Sequence, residues 1–242
     1  MRDWQGKRYW IVGAGEGVGL GLARRISAAG AEVVLSSSSD AQLDKAVAQM
    51  PGKAHGVRMD VAETASVANA AAEVGEIDGV VILDEVYWPV KAQEWNAAQV
   101  EEMCNSNFTG CARVIGAVLP AMVARGSGHL VLTGSLAGYR GVPGMSGFGA
   151  SKAGVMGMAD ALRADLQGSG IEVQLANLGF IRGQQGGDGV SFVVAPEDAA
   201  QQMFELMLTE RFKASVPTGS SWMMRLSRCL PATAFNRMFT RK

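Results

Sequence analysis

The sequence predicts an α/β protein in which a doubly wound parallel sheet of about seven strands lies between two layers of helices. Short apolar runs typical of buried strands alternate with longer helical segments along the chain. The first of these runs ends in a glycine-rich turn that opens a helix. Parallel strands need crossover helices to connect them, so the alternation predicts a three-layer architecture.

The composition is that of a single globular domain. The chain has 242 residues, of which 48% are hydrophobic, and its formal net charge is −1. This length is ordinary for one α/β domain, which we assign to residues 1–217, followed by a basic tail at residues 218–242. A charge this close to neutral gives no broad basic surface, so no nucleic-acid partner is expected.

Cysteine and histidine usage bears on location and on metals. The three cysteines form no disulfide framework, and the charged residues before the first apolar run are not typical of a signal peptide. No run reaches the roughly 18 apolar residues of a membrane-spanning helix. We therefore expect a cytoplasmic protein. His55 and His129 have no partners at ligand spacing, and no metal site is predicted.

The first strand and the turn after it predict a nucleotide site. The strand is predicted at Arg8 to Gly13 and the following helix at Leu20 to Ala29. The glycines between them let the backbone approach a pyrophosphate while the helix N-terminus faces the anion, as in a Rossmann-like fold. A turn that uses glycine for steric reasons alone is the alternative. The predicted cofactor contacts in the turn are Gly13, Gly15, Glu16, Gly17, Val18 and Gly19.

The second strand, predicted at Ala31 to Leu35, bears on the choice between NAD and NADP. Four serines follow it, rather than the acid that binds the NAD ribose or the arginine that holds the NADP 2′-phosphate. The carboxylate of Glu16 would repel that phosphate, which favours NAD. Ser36 and Ser38 are candidate cofactor contacts. The alternative is that Glu16 and the serines are solvated loop residues.

The remaining elements follow in order. Ser135 comes just after the fifth strand, at the strand end where open α/β sheets bind ligands. The predictions are a third strand at Ala54 to Met59, a helix from about Glu63, a fourth strand at Ile77 to Leu83, a long amphipathic helix from Asn96 to Arg125, a fifth strand at Gly128 to Thr133, a helix from Ser146 to Gln167 and a sixth strand at Ile171 to Leu178.

The spacing of Ser135, Phe148 and Lys152 carries a family resemblance. The serine lies thirteen residues before the phenylalanine, and the lysine lies four residues after it. The segment resembles the catalytic segment of the short-chain dehydrogenase/reductase family, in which a tyrosine occupies the Phe148 position, and the resemblance covers about residues 7–217. It implies an NAD(P)-dependent oxidoreductase. Ser135 would hold the substrate oxygen, and Lys152 would grip the nicotinamide ribose and lower the pKa of the tyrosine. Asn107 would complete the relay, with stabilisation of a kink in its helix as the alternative.

The same resemblance assigns further contacts and shows where the chain departs from the family. Asp60 would accept a hydrogen bond from the adenine amino group and Val61 would pack on the ring, with an N-cap role for Asp60 as the alternative. Gly179 and Ile181 are predicted cofactor contacts beside the nicotinamide. The family's Asn-Asn-Ala-Gly brace after the fourth strand is absent, and two carboxylates near a pyrophosphate disfavour binding. Its four positions hold Ile82, Leu83, Asp84 and Glu85.

Phe148 has no hydroxyl to donate or accept, so we expect the dehydrogenase chemistry to be impaired. Tyr139, on the loop between Ser135 and Phe148, could substitute only if that loop folds inward; packing or surface exposure is the alternative. The predicted function is an oxidoreductase scaffold for a hydrophobic, lipid-like alcohol or ketone. The alternative is a non-catalytic member that serves as a ligand sensor, the partner of an active paralogue or a peripheral membrane scaffold.

Two further predictions concern partners. Small residues on the helix from Ser146 match the face through which the family commonly forms dimers, so the resemblance implies a homodimer or homotetramer. The tail at residues 218–242 has five bases, no acid and several large apolar residues. It contacts an anionic membrane surface, or it packs on its own domain or a sister subunit and closes the pocket.

Overall fold

The computed structural model describes residues 2–183, 193–218 and 231. The predicted α/β class is confirmed, with seven parallel strands in one sheet and two short strands beside it. The strands are β1 (Arg8–Val12), β2 (Glu32–Ser37), β3 (Ala54–Arg58), β4 (Gly79–Ile82), β5 (Gly128–Ser135), β6 (Ile171–Leu178), β7 (Phe180–Ile181), β8 (Val193–Val194) and β9 (Lys213–Val216).

Helices cover both faces of the sheet. The predicted helix from Asn96 to Arg125 is present, but a π-helical segment, Asn105–Gly110, divides it into α4 and α5. The helices are α1 (Gly17–Ala28), α2 (Asp40–Val47), α3 (Thr64–Val74), α4 (Ala97–Cys104), α5 (Cys111–Arg125), α6 (Ser146–Asp165) and α7 (Pro196–Met207).

The strand order places a ligand crevice in the middle of the sheet. The order is β3-β2-β1-β4-β5-β6-β9, so the chain runs outward from β1 in one direction and then, from β4, in the other. The point between β1 and β4 is where the order reverses, and open α/β sheets bind ligands at the carboxyl ends of the strands there. The glycine turn after β1 and Asp84 after β4 meet at this point.

The core is split between the two faces of the sheet. Consecutive residues of β1 alternate between them: Ile11 packs with the α1 and α7 side, and Trp10 with the α3 and α5 side. Both residues are fully buried. Burial on both faces explains why the strands appear in the sequence as continuous apolar runs rather than alternating ones.

Five elements, α2, α7, β7, β8 and β9, were not predicted. α7 carries a clear start signal, because Pro196 stands at its first position and Glu197 and Asp198 lie in its first turn. The predicted basic tail lies outside the described residues except for Thr218 and Pro231.

One helix among the described residues, Ala97–Arg125, is long and apolar enough to cross a membrane by length and composition. This corrects the expectation that no segment would qualify. The buried residues Met103, Val114 and Ile115 lie in the protein core. Packing in the domain thus accounts for part of the apolar character of the helix, because 39% of its most apolar stretch is buried.

Candidate active site

The glycine turn has the geometry of an anion cradle. The backbone amides of Gly13 and Ala14 donate to the Ser36 carbonyl at 2.9 and 3.0 Å, which ties the turn to β2. Gly13 and Gly17 have φ values of +81° and +58°, a region that favours glycine. A Cβ atom on Gly19 would overlap the Gly13 carbonyl oxygen. The turn therefore needs glycine for its own close packing, and it also presents the N-terminus of α1 to a ligand.

Glu16 is the N-cap of α1, yet its side chain makes no cap hydrogen bond and is exposed. The two residues after Glu16 differ in exposure, since Gly17 is exposed and Val18 is buried. A charge at the Glu16 position faces solvent at the open side of the turn, where it weakens attraction for any phosphate placed there.

The serine segment after β2 divides into buried and open residues. Ser36 is fully buried, and its hydroxyl accepts a hydrogen bond from Trp10 Nε1 at 2.8 Å. The structure therefore places the Ser36 hydroxyl in the core. Ser38 is exposed, and its carbonyl accepts from Arg58 Nε at 3.3 Å. Ser39 caps α2 by accepting from the Gln42 amide at 3.4 Å.

Arg58 is a charged residue near this segment that sequence reasoning missed. It ends β3, in register with Ser37 of β2, so its guanidinium reaches the loop that carries Ser38. Its Nε also lies 3.7 Å from the Asp40 carboxylate. In the sequence, Arg58 is a base at the end of the predicted third strand. Only the pairing of β3 with β2 shows that it lies beside the serine segment.

Asp60 and Val61 lie at the carboxyl end of β3, as predicted. Asp60 Oδ1 accepts from the Ala62 amide at 2.9 Å, which forms a local turn, whereas the N-cap of α3 is Glu63. The alternative N-cap role for Asp60 is therefore wrong. Val61 is buried, and its side chain packs closely against Gly110 of the π-helical segment.

The structure brings Ser135, Phe148 and Lys152 together. Ser135 ends β5, and its hydroxyl accepts from the Ala137 amide at 3.2 Å. Phe148 and Lys152 lie one turn apart on α6, and Lys152 Nζ is 5.6 Å from the centre of the Phe148 ring. Both side chains are buried. Ser135 and Phe148 line one cleft, to which Phe148 contributes a hydrocarbon ring without a hydroxyl.

Gly179 and Ile181 line the same cleft from the opposite side. The Gly179 amide donates to the Val216 carbonyl at 2.6 Å, which holds the segment against β9. Ile181 is buried in β7. Both residues therefore line the cleft that Ser135 and Phe148 also line.

Asn107 sits in the π-helical segment and acts through its side chain. Its Oδ1 accepts from the Val86 amide at 2.8 Å, and its Nδ2 donates to the Val86 carbonyl at 2.9 Å. The same Nδ2 donates to Ser151 Oγ at 3.2 Å. One buried amide therefore holds the loop after β4 against α6, and it fixes the residues adjacent to Glu85 and Lys152 relative to each other.

Lys152 has an internal partner. Its ammonium forms an ion pair with the carboxylate of Glu85, and it also donates to the Thr133 carbonyl at 3.4 Å. Only 1% of the Lys152 side chain and 15% of the Glu85 side chain are exposed. Glu85 occupies the position at which the family has glycine, so this departure from the family pattern places a carboxylate on the lysine.

Acidic side chains lie between the glycine turn and the Lys152–Glu85 ion pair. Burial, followed by the nearby charges of Asp60 and Glu85, raises the pKa of Asp84 to about 6, while Lys152 acts in the opposite direction. A Cβ atom on Gly13 would lie 2.6 Å from the Asp84 amide nitrogen, so Asp84 adjoins the turn. Within the described residues, no group of three histidine, cysteine or acidic side chains is arranged to hold a metal ion.

Two phenols lie near the relay, and they are placed differently. Tyr139 accepts a hydrogen bond from Asn177 Nδ2 at 2.9 Å and is not among the cleft-lining residues. Tyr87 lines the cleft, with its ring edge-on to Phe148 at a centroid distance of 5.1 Å. Burial raises the pKa of Tyr87. Sequence reasoning named Tyr139 and missed Tyr87, because nothing in the local sequence indicates that the loop after β4 reaches α6.

A dinucleotide fits these residues unevenly. The glycine cradle suits the pyrophosphate, and Asp60 stands exposed at the adenine end. At the nicotinamide end the residues do not fit, because Glu85 already holds the ammonium that would bind the ribose hydroxyls.

The family model for short chain dehydrogenases matches residues 7–188. A Myxococcus xanthus protein named uncharacterized oxidoreductase is 30% identical over 236 residues, which cover 93% of each chain. The Danio rerio dehydrogenase/reductase SDR family member 7B is 30% identical over 191 residues. The aligned region covers 74% of this chain and 62% of the length of that relative. The Escherichia coli 3-oxoacyl-(acyl-carrier-protein) reductase FabG is 27% identical over 188 residues, 74% of this chain and 75% of that protein.

Solved structures agree with the fold. A short chain dehydrogenase/reductase family protein superposes with a TM-score of 0.80 at 29% identity, covering 85% of this chain and 91% of that one. A metagenomic short-chain oxidoreductase in complex with NADP superposes with a TM-score of 0.75 at 23% identity, covering 88% and 96%. The second likeness, at its low identity, concerns the fold alone.

Proposed function

Because the chain belongs to the short-chain dehydrogenase/reductase family, we propose that it is an oxidoreductase scaffold whose own hydride-transfer activity is impaired. The proposed ligand of the cleft is a hydrophobic alcohol or ketone. The nicotinamide group of the family's cofactor supplies the hydride when it is bound. The protein's part is to hold the substrate oxygen and to move a proton to or from it, and the proposal concerns that proton.

One observation carries the proposal. Phe148 lines the cleft beside Ser135, and its spacing from Ser135 and Lys152 in the sequence is that of the family's tyrosine, which exchanges a proton with the substrate. Its ring packs edge-on against Tyr87 and under the Lys152 ammonium. Loss of a positioned general acid or base lowers a rate by about 10² to 10⁴. Ser135 alone can orient the substrate oxygen but cannot perform that transfer at neutral pH.

The cleft lining supports a hydrophobic ligand. Apolar side chains contribute most of it, and the polar groups come from a few residues that include Ser135 and Glu85. Such a lining, with few polar groups to fix orientation, is typical of small-molecule sites. Relatives of this chain are named as reductases of 3-oxoacyl substrates, which are carbonyl compounds attached to acyl chains. We propose a ligand of that lipid-like class.

For the cofactor we propose a preference for NAD over NADP. Glu16 is exposed at the open side of the turn and disfavours a 2′-phosphate. Arg58 would favour that phosphate, but the Asp40 carboxylate 3.7 Å away offsets its charge. The two serines predicted as contacts differ, since only Ser38 is exposed.

We also propose a cytoplasmic homodimer or homotetramer formed through the outer faces of α5 and α6. Gly116 and Gly157 lie on these faces, and a Cβ atom on either would meet no other atom within 4 Å. Phe108 and Val123 are exposed on the same long helix. Small residues beside exposed apolar ones permit a close helix–helix contact.

The test measures NADH oxidation at 340 nm with a 3-oxoacyl thioester as substrate. The variants are Phe148→Tyr and the double variant Phe148→Tyr/Glu85→Gly, which also restores the family's glycine. We expect no turnover above background by the unmodified chain and a gain of about 10²-fold or more in the double variant. Phe108→Tyr, which adds a hydroxyl on an exposed ring of the π-helical segment, is the matched control and gains nothing.

Brisk turnover by the unmodified chain would contradict the proposal. So would a double variant that folds normally by circular dichroism and shows no gain, because the missing hydroxyl would then not be what limits the reaction.

A further inference from the structure

The ammonium that would grip a nicotinamide ribose is already occupied inside the protein. Lys152 and Glu85 form an ion pair in which little of either side chain reaches solvent. Charges in such a setting are screened weakly and attract strongly. A ribose that binds the ammonium must therefore compete with this carboxylate for it.

The two partners are also held in place from behind. Asn107 binds both the amide and the carbonyl of Val86, the neighbour of Glu85. The same side chain binds the hydroxyl of Ser151, the neighbour of Lys152. A single buried amide thus connects the backbone beside the acid to the helix that carries the base, and this connection disfavours a movement of the loop that would separate the ion pair.

A neutral ribose is a weak competitor for this lysine. The Glu85 carboxylate attracts the ammonium through its full charge in a poorly screened site, whereas the hydroxyls of a ribose carry no charge. The glycine turn, in contrast, carries no such internal occupant among the described residues. Gly13 and Gly17 adopt the open glycine conformations that let the backbone approach an anion.

We infer that Glu85 is a built-in plug that excludes the nicotinamide riboside, so that the chain binds adenosine phosphates such as ADP through the glycine turn and Asp60 alone. The inference deepens the proposed function and rests on it, because it assigns a ligand class to the same site. Glu85 then determines specificity: it turns a dinucleotide site into one that takes half of a dinucleotide.

Isothermal titration of the unmodified chain with ADP, NADH and NADPH tests the inference directly. Because the nicotinamide riboside makes no favourable contact, we expect the Kd of NADH to lie within about threefold of the Kd of ADP. An affinity for NADH at least tenfold above that for ADP would overturn the inference. Failure of all three nucleotides to bind would overturn it as well.

A matched pair of variants separates the plug from general electrostatics. Glu85→Gln removes the carboxylate from Lys152, and Asp84→Asn removes a neighbouring negative charge that adjoins the turn. We expect Glu85→Gln to raise the affinity for NADH about tenfold relative to ADP, and Asp84→Asn to raise both affinities by the same factor. An equal effect of the two variants on the NADH-to-ADP ratio would overturn the inference.

Glu85→Gln leaves a buried ammonium without its partner, which destabilises proteins strongly. If this variant does not fold, Glu85→Gln/Lys152→Met removes both charges, and NADH must then still bind no better than ADP. The result is distinguishable from failure of the proposed function. Turnover of NADH by the unmodified chain would sink the proposed function, whereas the ratio of the two dissociation constants decides the inference.

Discussion

At the scale of single residues, the site differs from the family pattern by groups that interact with one another. Phe148 packs beneath the Lys152 ammonium, and Glu85 neutralises that ammonium. Without a tyrosine at position 148, there is no phenol whose pKa Lys152 could lower. Burying the ammonium without a counter-charge would also cost free energy. The carboxylate at position 85 supplies a counter-charge for this ammonium, so the two departures from the family pattern meet at Lys152.

Asp84 gives a prediction at the same scale. Its pKa is raised to about 6 in the folded protein, above the ordinary value of 3.8, mainly by burial. Such a carboxyl group favours folding below pH 3.8 and disfavours it increasingly as pH rises through 6. We expect Asp84→Asn to raise the free energy of unfolding at pH 7.5 by about 1 to 3 kcal/mol, and to bring no gain below pH 3.8.

Urea unfolding at the two pH values measures the effect of Asp84→Asn. Glu94→Gln, which changes an exposed acid on the loop before α4, is the control and leaves stability unchanged at both values. A destabilised Asp84→Asn protein at pH 7.5 would show that the charge on Asp84 supports the fold instead of opposing it.

At the scale of elements, the turn between β1 and α1 combines stability with binding. Gly19 packs directly against the Gly13 carbonyl, so the approach of α1 to β1 depends on the absence of a side chain. The same packing aims the N-terminus of α1 at the crevice between β1 and β4. Gly19 is therefore required for packing, and because the packing interpretation and the nucleotide interpretation need the same glycine, they do not exclude each other.

Gly19→Ala tests this element. Because its Cβ atom would overlap the Gly13 carbonyl oxygen, we expect a loss of about 1 to 3 kcal/mol in the free energy of unfolding and a loss of ADP binding. Gly141→Ala on the exposed loop before α6 is the matched control, since its Cβ atom meets nothing within 4 Å. That change should leave the free energy of unfolding within about 0.5 kcal/mol of the value for the unmodified chain. Chemical unfolding and titration with ADP measure both, and an unaltered Gly19→Ala protein would refute the packing argument.

At the scale of the whole molecule, the candidate site and a buried hydrogen-bond network lie toward opposite ends of the strands. The site is at the carboxyl ends of the strands, whereas a buried network joins residues nearer their amino ends. Tyr9 of β1 hydrogen-bonds His129 Nδ1 at 3.0 Å, and His129 Nε2 contacts Gln174 Oε1 of β6 at 3.0 Å. Gln174 Nε2 donates to carbonyls in and after α7. The amide oxygen of Gln174 thus faces an Nε2–H, and the neutral imidazole uses both nitrogens.

This network predicts a pH dependence of stability. Burial lowers the pKa of His129 to about 3, below the ordinary value of 6.5. Between pH 3 and pH 6.5, the imidazole is therefore protonated in the unfolded chain and neutral in the folded chain. The contribution of His129 is fully present above pH 6.5 and is lost as pH falls toward 3. We expect His129 to make the free energy of unfolding increase with pH in this window, by up to about 1.4 kcal/mol per pH unit.

Urea unfolding between pH 4 and 7 of the unmodified chain and of His129→Gln isolates this slope as a difference, which matters because Asp84 acts with the opposite sign. His55→Gln is the control, since the His55 side chain is 51% exposed. The same slope in His129→Gln and in the unmodified chain would show that the buried imidazole is not responsible.

Much of the fold could be predicted because its signals are local. The apolar runs, the glycine turn and the sequence spacing from Ser135 to Lys152 depend on residues close together in the chain, and the sixth strand was predicted with the bounds that the structure has. α2 and α7 were missed, and β9 is a four-residue edge strand whose pairing with β6 no local pattern announces.

The sequence by itself determined the family, the succession of the first six strands along the chain and the absence of a hydroxyl at position 148, because each follows from residue identity and spacing. Only the tertiary structure decided which groups face one another: that Glu85 takes Lys152, that Tyr87 rather than Tyr139 lines the cleft, and that the Ser36 hydroxyl is turned into the core. The physical reason is that charge pairing and burial depend on distances between segments far apart in the chain. Those distances exist only once the loop after β4 has packed against α6.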